Sequence, residues 1–168
     1  MIRRLLMSFG LVSILLVVQS TWLEAIAIHA VIPDLSLLAL VYLSFKSPGM
    51  EGQTIGFAAG LLQDGISAAP LGLNAFIKTA VAWVANLLSG KFYIDKVLMP
   101  ALFGIVATLL KALYLIVLSF FFPGKVLAYD LLGSVLWIEV AYNALAAPIL
   151  FLLLGPLDRF LLPRNLHG

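Results

Sequence analysis

Five charged side chains lie within otherwise apolar stretches of this sequence, and they are the residues that could do chemistry. In the middle of a membrane-spanning helix, each such charge costs about 3 kcal/mol, so each one needs a partner or a wet cavity. Carboxylates and amines in these positions could pair with each other, line a ligand cavity or contact a partner protein. The five residues are Asp34, Asp64, Lys78, Lys111 and Glu139.

Lys111 and Glu139 are predicted to form an ion pair. Lys111 precedes the predicted outer end of its span, Phe122, by eleven residues, and Glu139 follows the start of the next span, Leu131, by eight. At 1.5 Å of rise per residue, their depths are about 16 and 12 Å, so antiparallel neighbours would bring them together. A structural ion pair or a snorkelling lysine is the simpler interpretation, and a role in signalling to a partner is the alternative.

A second polar pair, Lys78 with Asp64, is predicted to tie the third and fourth spans together, and Asn74 lies one turn from Lys78. These residues lie near the predicted outer face. A structural role is the simpler interpretation of this pair. The alternative is an outward-facing ligand cavity lined by Asp34, Asp64, Asn74, Lys78 and Trp83.

The third span carries Gly52, Gly56, Gly60 and Asp64 at intervals of four residues. This spacing predicts a strip of bare backbone along one helical face, ending in a carboxylate. Such faces allow two helices to approach closely where lipid removes the hydrophobic driving force. The strip could pack within the protein or against the transmembrane helix of a partner.

Catalytic and metal-binding patterns are missing from the sequence. The chain has no cysteine, which excludes disulfides, thiolate metal sites and cysteine nucleophiles. It contains no zinc-protease, nucleophile-elbow, P-loop or dinucleotide-binding motif. The two histidines, His29 and His167, are predicted to lie on opposite sides of the membrane and could not share a metal. We therefore expect no enzymatic activity, no cofactor and no metal.

The composition identifies the environment of these residues. Hydrophobic residues make up 63% of the 168 and charged residues only 11%, whereas soluble domains carry about 25% charged residues. Mean hydropathy is +1.13. A chain this apolar can satisfy its peptide groups in lipid only as helices or a closed barrel, and runs of about 20 apolar residues favour helices. The net charge of +2 comes from scattered basic residues, so we expect no nucleic-acid binding.

The sequence predicts an all-α, single transmembrane domain over residues 1–168. Pro33 falls within the second predicted span, and proline favours a helix start, so this helix could begin near residue 33. The six predicted spans are residues 5–23, 26–45, 51–67, 73–89, 97–122 and 131–154.

The basic residues predict the orientation of the bundle. Lysine and arginine are retained on the cytoplasmic side of membranes. With the N-terminus inside, seven basic residues fall on the inner side and only Lys125 on the outer side. Both termini are therefore predicted to be cytoplasmic. The seven are Arg3, Arg4, Lys46, Lys91, Lys96, Arg159 and Arg164.

Three stretches together resemble the MreD family of bacterial rod-shape-determining proteins. The first is Pro33-Asp34-Leu35 opening an apolar span, the second runs from Gly56 to Asp64, and the third is Pro70-Leu71-Gly72-Leu73-Asn74. The middle stretch is also similar to substrate-binding S components of energy-coupling-factor vitamin transporters, a family with a related fold. The Pro-Asp-Leu opening favours MreD.

The resemblance implies an S-component-like helical bundle in the bacterial inner membrane that helps to maintain rod shape. The expected partner is MreC, a single-span protein, and beyond it the RodA–penicillin-binding-protein synthase of peptidoglycan and, indirectly, MreB. A homodimer and contacts with membrane lipid are further expectations. The S-component alternative implies vitamin binding instead. The motif positions that carry over, with packing or partner-shaping roles, are Pro33, Asp34, Gly56, Gly60, Asp64 and Gly72.

Overall fold

Six helices of 12 to 24 residues and one of four residues build the computed structural model, which describes residues 2–47, 49–91, 95 and 97–162. Within those residues the only β pairing is an isolated bridge between Ile28 and Val31. Short 3-10 turns cover Leu23–Ile26 and Gly155–Leu157. The helices are α1 Ile2–Thr21, α2 Leu35–Lys46, α3 Glu51–Ile66, α4 Leu73–Leu87, α5 Leu98–Phe121, α6 Ser134–Leu154 and α7 Asp158–Leu161.

Helix α2 lies at the centre of the bundle and contacts α1, α3, α4, α5 and α6. Every residue from Ser36 to Phe45 is buried. A helix that is apolar on all sides belongs in a core, and the sequence of α2 has that character. Helices α3 and α4 pack as one antiparallel pair beside it, and α5 and α6 pack as another.

Helix α2 begins later than the predicted second span, at Leu35 rather than residue 26. Pro33 has no backbone N–H, and the Asp34 carboxylate accepts a hydrogen bond from the N–H of Leu37 at 3.0 Å, which caps the helix. The preceding residues form a tight turn, in which His29 and Ala30 adopt φ values of 52° and 62°. These local preferences shorten the helix to 12 residues, or about 18 Å.

The lengths of the helices divide them into two groups. Among the described residues, three helical stretches are long and apolar enough to cross a membrane: Ile2–Thr21, Leu98–Phe121 and Ser134–Leu161. Helices α2, α3 and α4 contain 12, 16 and 15 residues, or about 18 to 24 Å of helix against about 30 Å of hydrocarbon. The predicted all-helical membrane bundle is confirmed, with short helices α2, α3 and α4 packed among three long ones.

The glycine strip of α3 packs inside the protein. A Cβ atom on Gly52 would collide with the Ser44 side chain of α2, and one on Gly56 would lie 3.0 Å from the Lys78 carbonyl oxygen of α4. A Cβ atom on Gly60 would collide with the backbone of α4 at residues 74 and 75. The strip is therefore used for internal packing of α3 against α2 and α4, and it is not available to a partner helix.

Both ends of the described chain lie at the same end of the bundle. Helix α1 packs against α7. Arg4 near the start of α1 lies 3.6 Å from Glu51 at the start of α3. At the end of α2, Lys46 forms an ion pair with Asp158 of α7, which also accepts a hydrogen bond from Tyr42. Two of the basic residues counted for the orientation, Lys96 and Arg164, lie outside the described residues.

We expect Gly60→Ala to destabilise the protein by about 1–3 kcal/mol, because the added methyl group pushes α3 away from the backbone of α4. The matched control is Gly65→Ala in the same helix, where an added Cβ meets nothing within 4 Å. Thermal unfolding of both purified variants in lipid nanodiscs would measure the difference. Equal melting temperatures for the two variants would contradict the close approach of α3 and α4.

Candidate functional site

Two ion pairs join α2, α5 and α6. We call the three residues that form them the charge cluster: Asp34, Lys111 and Glu139. The Lys111 ammonium nitrogen lies 2.7 Å from Glu139 Oε1 and 3.2 Å from Asp34 Oδ2. The carboxylates are buried, and the Lys111 side chain is 19% exposed. Lys111 therefore forms ion pairs with two carboxylates from two different segments. The predicted partner Glu139 is one of them, and Asp34 is an additional one.

Asp34 connects the charge cluster to neighbouring residues through several hydrogen bonds. Its Oδ1 atom accepts hydrogen bonds from the hydroxyl of Ser36 at 2.9 Å and from the N–H of Leu37 at 3.0 Å. Its own backbone N–H donates to the side-chain oxygen of Asn143 in α6 at 2.8 Å. Gln19 of α1 accepts from the N–H of Ser36 at 2.9 Å. Pro33, immediately before Asp34, lacks a backbone N–H and is tolerated only near a helix start, which agrees with the observed start of α2 at Leu35.

Tyr129, in the connection between α5 and α6, donates a hydrogen bond to Glu139 Oε2. Burial raises the pKa of the Tyr129 hydroxyl, nearby Lys111 lowers it and Glu139 raises it, and the net result is a pKa of about 12. The hydroxyl therefore stays protonated at neutral pH and acts as a donor. Both oxygens of Glu139 are thus engaged, one by an ammonium and the other by a phenol.

A chain of hydrogen bonds continues from Asn143 into the interface between α5 and α6. The Asn143 amide nitrogen donates to the hydroxyl of Thr108 at 2.8 Å, and this hydroxyl donates to the Gly104 carbonyl at 2.8 Å. Asn143 and Thr108 have no exposed surface. Because lipid offers no replacement partners, these bonds fix the register of α5 against α6.

Asp64 caps the start of α4. Its carboxylate accepts hydrogen bonds from the backbone N–H groups of Gly72 at 2.8 Å, Asn74 at 2.9 Å and Ala75 at 3.3 Å, and from the Asn74 side chain at 2.8 Å. Gly72 has φ of 93°, a conformation that favours glycine. This explains the Pro70–Asn74 stretch physically: it turns the chain so that four donors converge on one carboxylate.

The predicted Lys78–Asp64 contact is not formed. Lys78 is 2% exposed, and its ammonium group donates to the hydroxyl of Ser36 in α2. The Asp64 oxygens are already occupied by donors at the start of α4, whereas Lys78, one turn further along α4, reaches the centre of the bundle. The Ser36 hydroxyl therefore links Lys78 to Asp34: it accepts a hydrogen bond from Lys78 and donates one to Asp34.

A cavity of about 260 Å³ opens beside the charge cluster. Its wall differs from the predicted one: Asp34 lines it, but Asp64, Asn74, Lys78 and Trp83 do not. Trp83 is 52% exposed and lines a separate groove between α3 and α4. The polar residues lining the cavity are Gln19, Asp34, Gln63, Lys111, Tyr129 and Glu139.

Sequence reasoning missed several of these polar residues. Gln19 could have been found, because it is an amide near the end of an otherwise apolar first span. Tyr129 carried no signal, and Gln63, although it lies within the Gly56–Asp64 stretch, was not marked as a site residue by any charge pattern. In the described part of the chain, no group of three or more histidine, aspartate or glutamate residues is arranged to hold a metal ion.

Comparison with known proteins identifies the family. The family described as rod shape-determining protein MreD matches residues 1–160 of the chain. No curated protein and no solved structure gives a significant match. The family match covers nearly the whole sequence and confirms the resemblance first seen in the Pro-Asp-Leu, Gly56–Asp64 and Pro70–Asn74 stretches. The chain belongs to the MreD family of rod shape-determining membrane proteins and has a role in cell shape.

Proposed function

We propose that this protein is a scaffold of the cell-elongation machinery in the bacterial inner membrane, and that it is not an enzyme. The observation that carries the proposal is the family match over residues 1–160 of a chain that folds mainly as apolar helices. The connections between the helices α1 to α6 contain between four and thirteen residues. A protein built in this way acts mainly through contacts inside the membrane.

The partner we propose is MreC, with the RodA–penicillin-binding-protein synthase and MreB engaged indirectly. A single-span protein presents one helix, and the scaffold needs a lipid-facing surface to receive it. The glycine strip of α3 cannot serve, because it packs against α2 and α4. The contact therefore uses other surfaces, among them the exposed side chains of the α3–α4 pair and of α5, such as Phe57, Trp83 and Leu113.

Vitamin binding as in an S component is less well supported. The family match favours the scaffold role. The residues named for an S-component-like cavity, Asp34, Asp64, Asn74, Lys78 and Trp83, do not share one wall.

Affinity purification from native membranes, followed by mass spectrometry, tests the scaffold role. We expect a single-span protein with an extracytoplasmic domain to co-purify. We also expect a photo-crosslinker at Phe57, Trp83 or Leu113 to capture this protein only where the position lies on the one face of the bundle that it contacts. A crosslinker at Gly10 of α1, where an added side chain has open space, is the comparison position. Purification of the intact protein without any membrane partner would contradict the proposal.

The proposed orientation, with both termini in the cytoplasm, is tested by cysteine labelling. The chain has no cysteine, so a single introduced thiol is unique. Ala68 and Met50 are exposed at opposite ends of α3. We expect a membrane-impermeant maleimide to label Ala68→Cys in intact cells and Met50→Cys only after permeabilisation. The reverse pattern would overturn the orientation.

A further inference from the structure

A groove between the helices α4 and α5 opens at the end of the bundle opposite α7. Its volume is about 330 Å³, and its wall combines the turn before α4, the last turns of α5 and the start of the α5–α6 connection. Among the described residues that line it, Lys125 is the only charged one. The groove is therefore an apolar surface with a single cation at its rim. The apolar residues that line it include Leu71, Leu73, Phe76, Leu118 and Phe122.

The groove exists because the start of α4 packs closely on α3 but only loosely on α5. The Asp64 carboxylate of α3 holds the start of α4 through the backbone N–H groups of Gly72 and Asn74. Deeper in the bundle, the rings of Phe76 and Tyr114 meet edge to face, with their centroids 6.0 Å apart. This ring contact joins α4 to α5 below the groove, so the groove separates only the ends of the two helices.

A tight turn holds Lys125 at the mouth of the groove. Pro123 and Gly124 occupy the two central positions of the turn, and Gly124 has φ of 76°, a conformation that favours glycine. The backbone N–H groups of Lys125 and Val126 donate to the Phe122 carbonyl at 3.2 Å, and the Val126 side chain is buried. The Lys125 side chain is exposed, and its ammonium forms no ion pair or hydrogen bond with the part of the chain that the structure describes. The turn therefore fixes an unpaired cation beside an apolar groove.

The size and the lining of the groove indicate what can occupy it. One turn of an α-helix, with a diameter of about 10–12 Å and a pitch of about 5.4 Å, fills roughly 400–600 Å³, which exceeds the volume of the groove. A hydrocarbon chain is thinner than a helix and matches the apolar wall. Leu71, Phe76 and Phe122 are 83%, 51% and 53% exposed, so the bilayer has direct access to this wall. Basic pockets between membrane helices bind anionic lipid headgroups by the same complementarity of charge.

We propose that this groove is a binding site for an anionic glycerophospholipid. One acyl chain lies between α4 and α5, and the headgroup phosphate pairs with Lys125. A zwitterionic lipid carries its own cation beside the phosphate and gains less from Lys125, which gives the site its selectivity. In the proposed orientation, the lipid belongs to the outer leaflet. The site goes beyond the scaffold role and is independent of it, because lipid binding is measured on the purified protein without a partner.

The test measures thermal unfolding of the full chain in neutral detergent micelles to which dioleoyl phosphatidylglycerol or dioleoyl phosphatidylcholine is added. We expect a saturable rise in melting temperature with phosphatidylglycerol, because a ligand that binds only the native state stabilises it. We expect a smaller rise at the same concentration of phosphatidylcholine. The two lipids have the same acyl chains and differ in headgroup charge, so the difference between them isolates the contribution of the charge.

Lys125→Gln removes the charge from an exposed side chain and should leave the fold intact. We expect this variant to need about fivefold more phosphatidylglycerol for the same shift, since one basic residue near an anionic membrane surface contributes about 1 kcal/mol. We also expect it to lose most of the preference over phosphatidylcholine. Lys125→Arg keeps the charge and should respond like the unmodified protein. Lys91→Gln, in an exposed turn beyond the other end of α4, makes the same chemical change and is the matched control.

Leu118→Trp tests the acyl-chain part of the site, because the larger side chain fills the groove and leaves the charge unchanged. We expect it to weaken the response to both lipids. Leu113→Trp adds the same bulk to an exposed position of α5 outside the groove, and it should respond like the unmodified protein.

No response to phosphatidylglycerol, an equal response to both lipids, or an unchanged response in either Lys125→Gln or Leu118→Trp would overturn the proposal. An equal loss in Lys91→Gln would also overturn it, because the effect would then be a general attraction between anionic lipid and basic residues. Partner capture that Leu118→Trp abolishes, without any response to lipid, would assign the groove to a protein partner instead.

Discussion

The structure depends on one electrostatic constraint: the buried Asp34 carboxylate, at the start of the central helix, must be paired and hydrogen-bonded within the protein. It is satisfied by Lys111 from α5 and by donors within the first turn of α2, while its backbone N–H is held by Asn143 of α6. Because a buried carboxylate without partners is very costly, α2 cannot slide or rotate without breaking these bonds. The position of Asp34 thus fixes how α2 sits against α5 and α6.

The other packing features adapt the bundle to a short central helix. Helix α2 is about 18 Å long, and it contacts α1, α3, α4, α5 and α6. On one side, the glycine strip lets α3 approach α2 and α4 at backbone distance. At the opposite end from Asp34, Lys46 and Tyr42 attach α2 to Asp158 of α7. Both ends of α2 are therefore held by polar contacts, and its middle is held by apolar packing.

The sequence was sufficient to predict the helical membrane bundle and the family, because hydropathy and short motifs are local properties. It also suggested that Lys111 and Glu139 lie at similar depths, since helical rise converts residue number into distance. It could not predict that Asp34 joins them, because this depends on the turn that starts α2 at Leu35. Nor could it predict that Lys78 contacts Ser36 rather than Asp64. The Asp64 carboxylate is occupied by backbone N–H groups of Gly72 and Asn74, and their positions depend on the turn before α4.

The proposed scaffold role needs a rigid body on which partners can assemble, and the charge cluster would provide that rigidity. A double-mutant cycle on Lys111 and Glu139, measured by unfolding in nanodiscs, tests this most directly. The account predicts that Lys111→Met costs about 3–5 kcal/mol, because two buried carboxylates lose their ammonium. It also predicts that combining this change with Glu139→Gln costs clearly less than the sum of the single variants. Strict additivity, or a Lys111→Met variant as stable as Lys125→Met on the exposed α5–α6 connection, would contradict it.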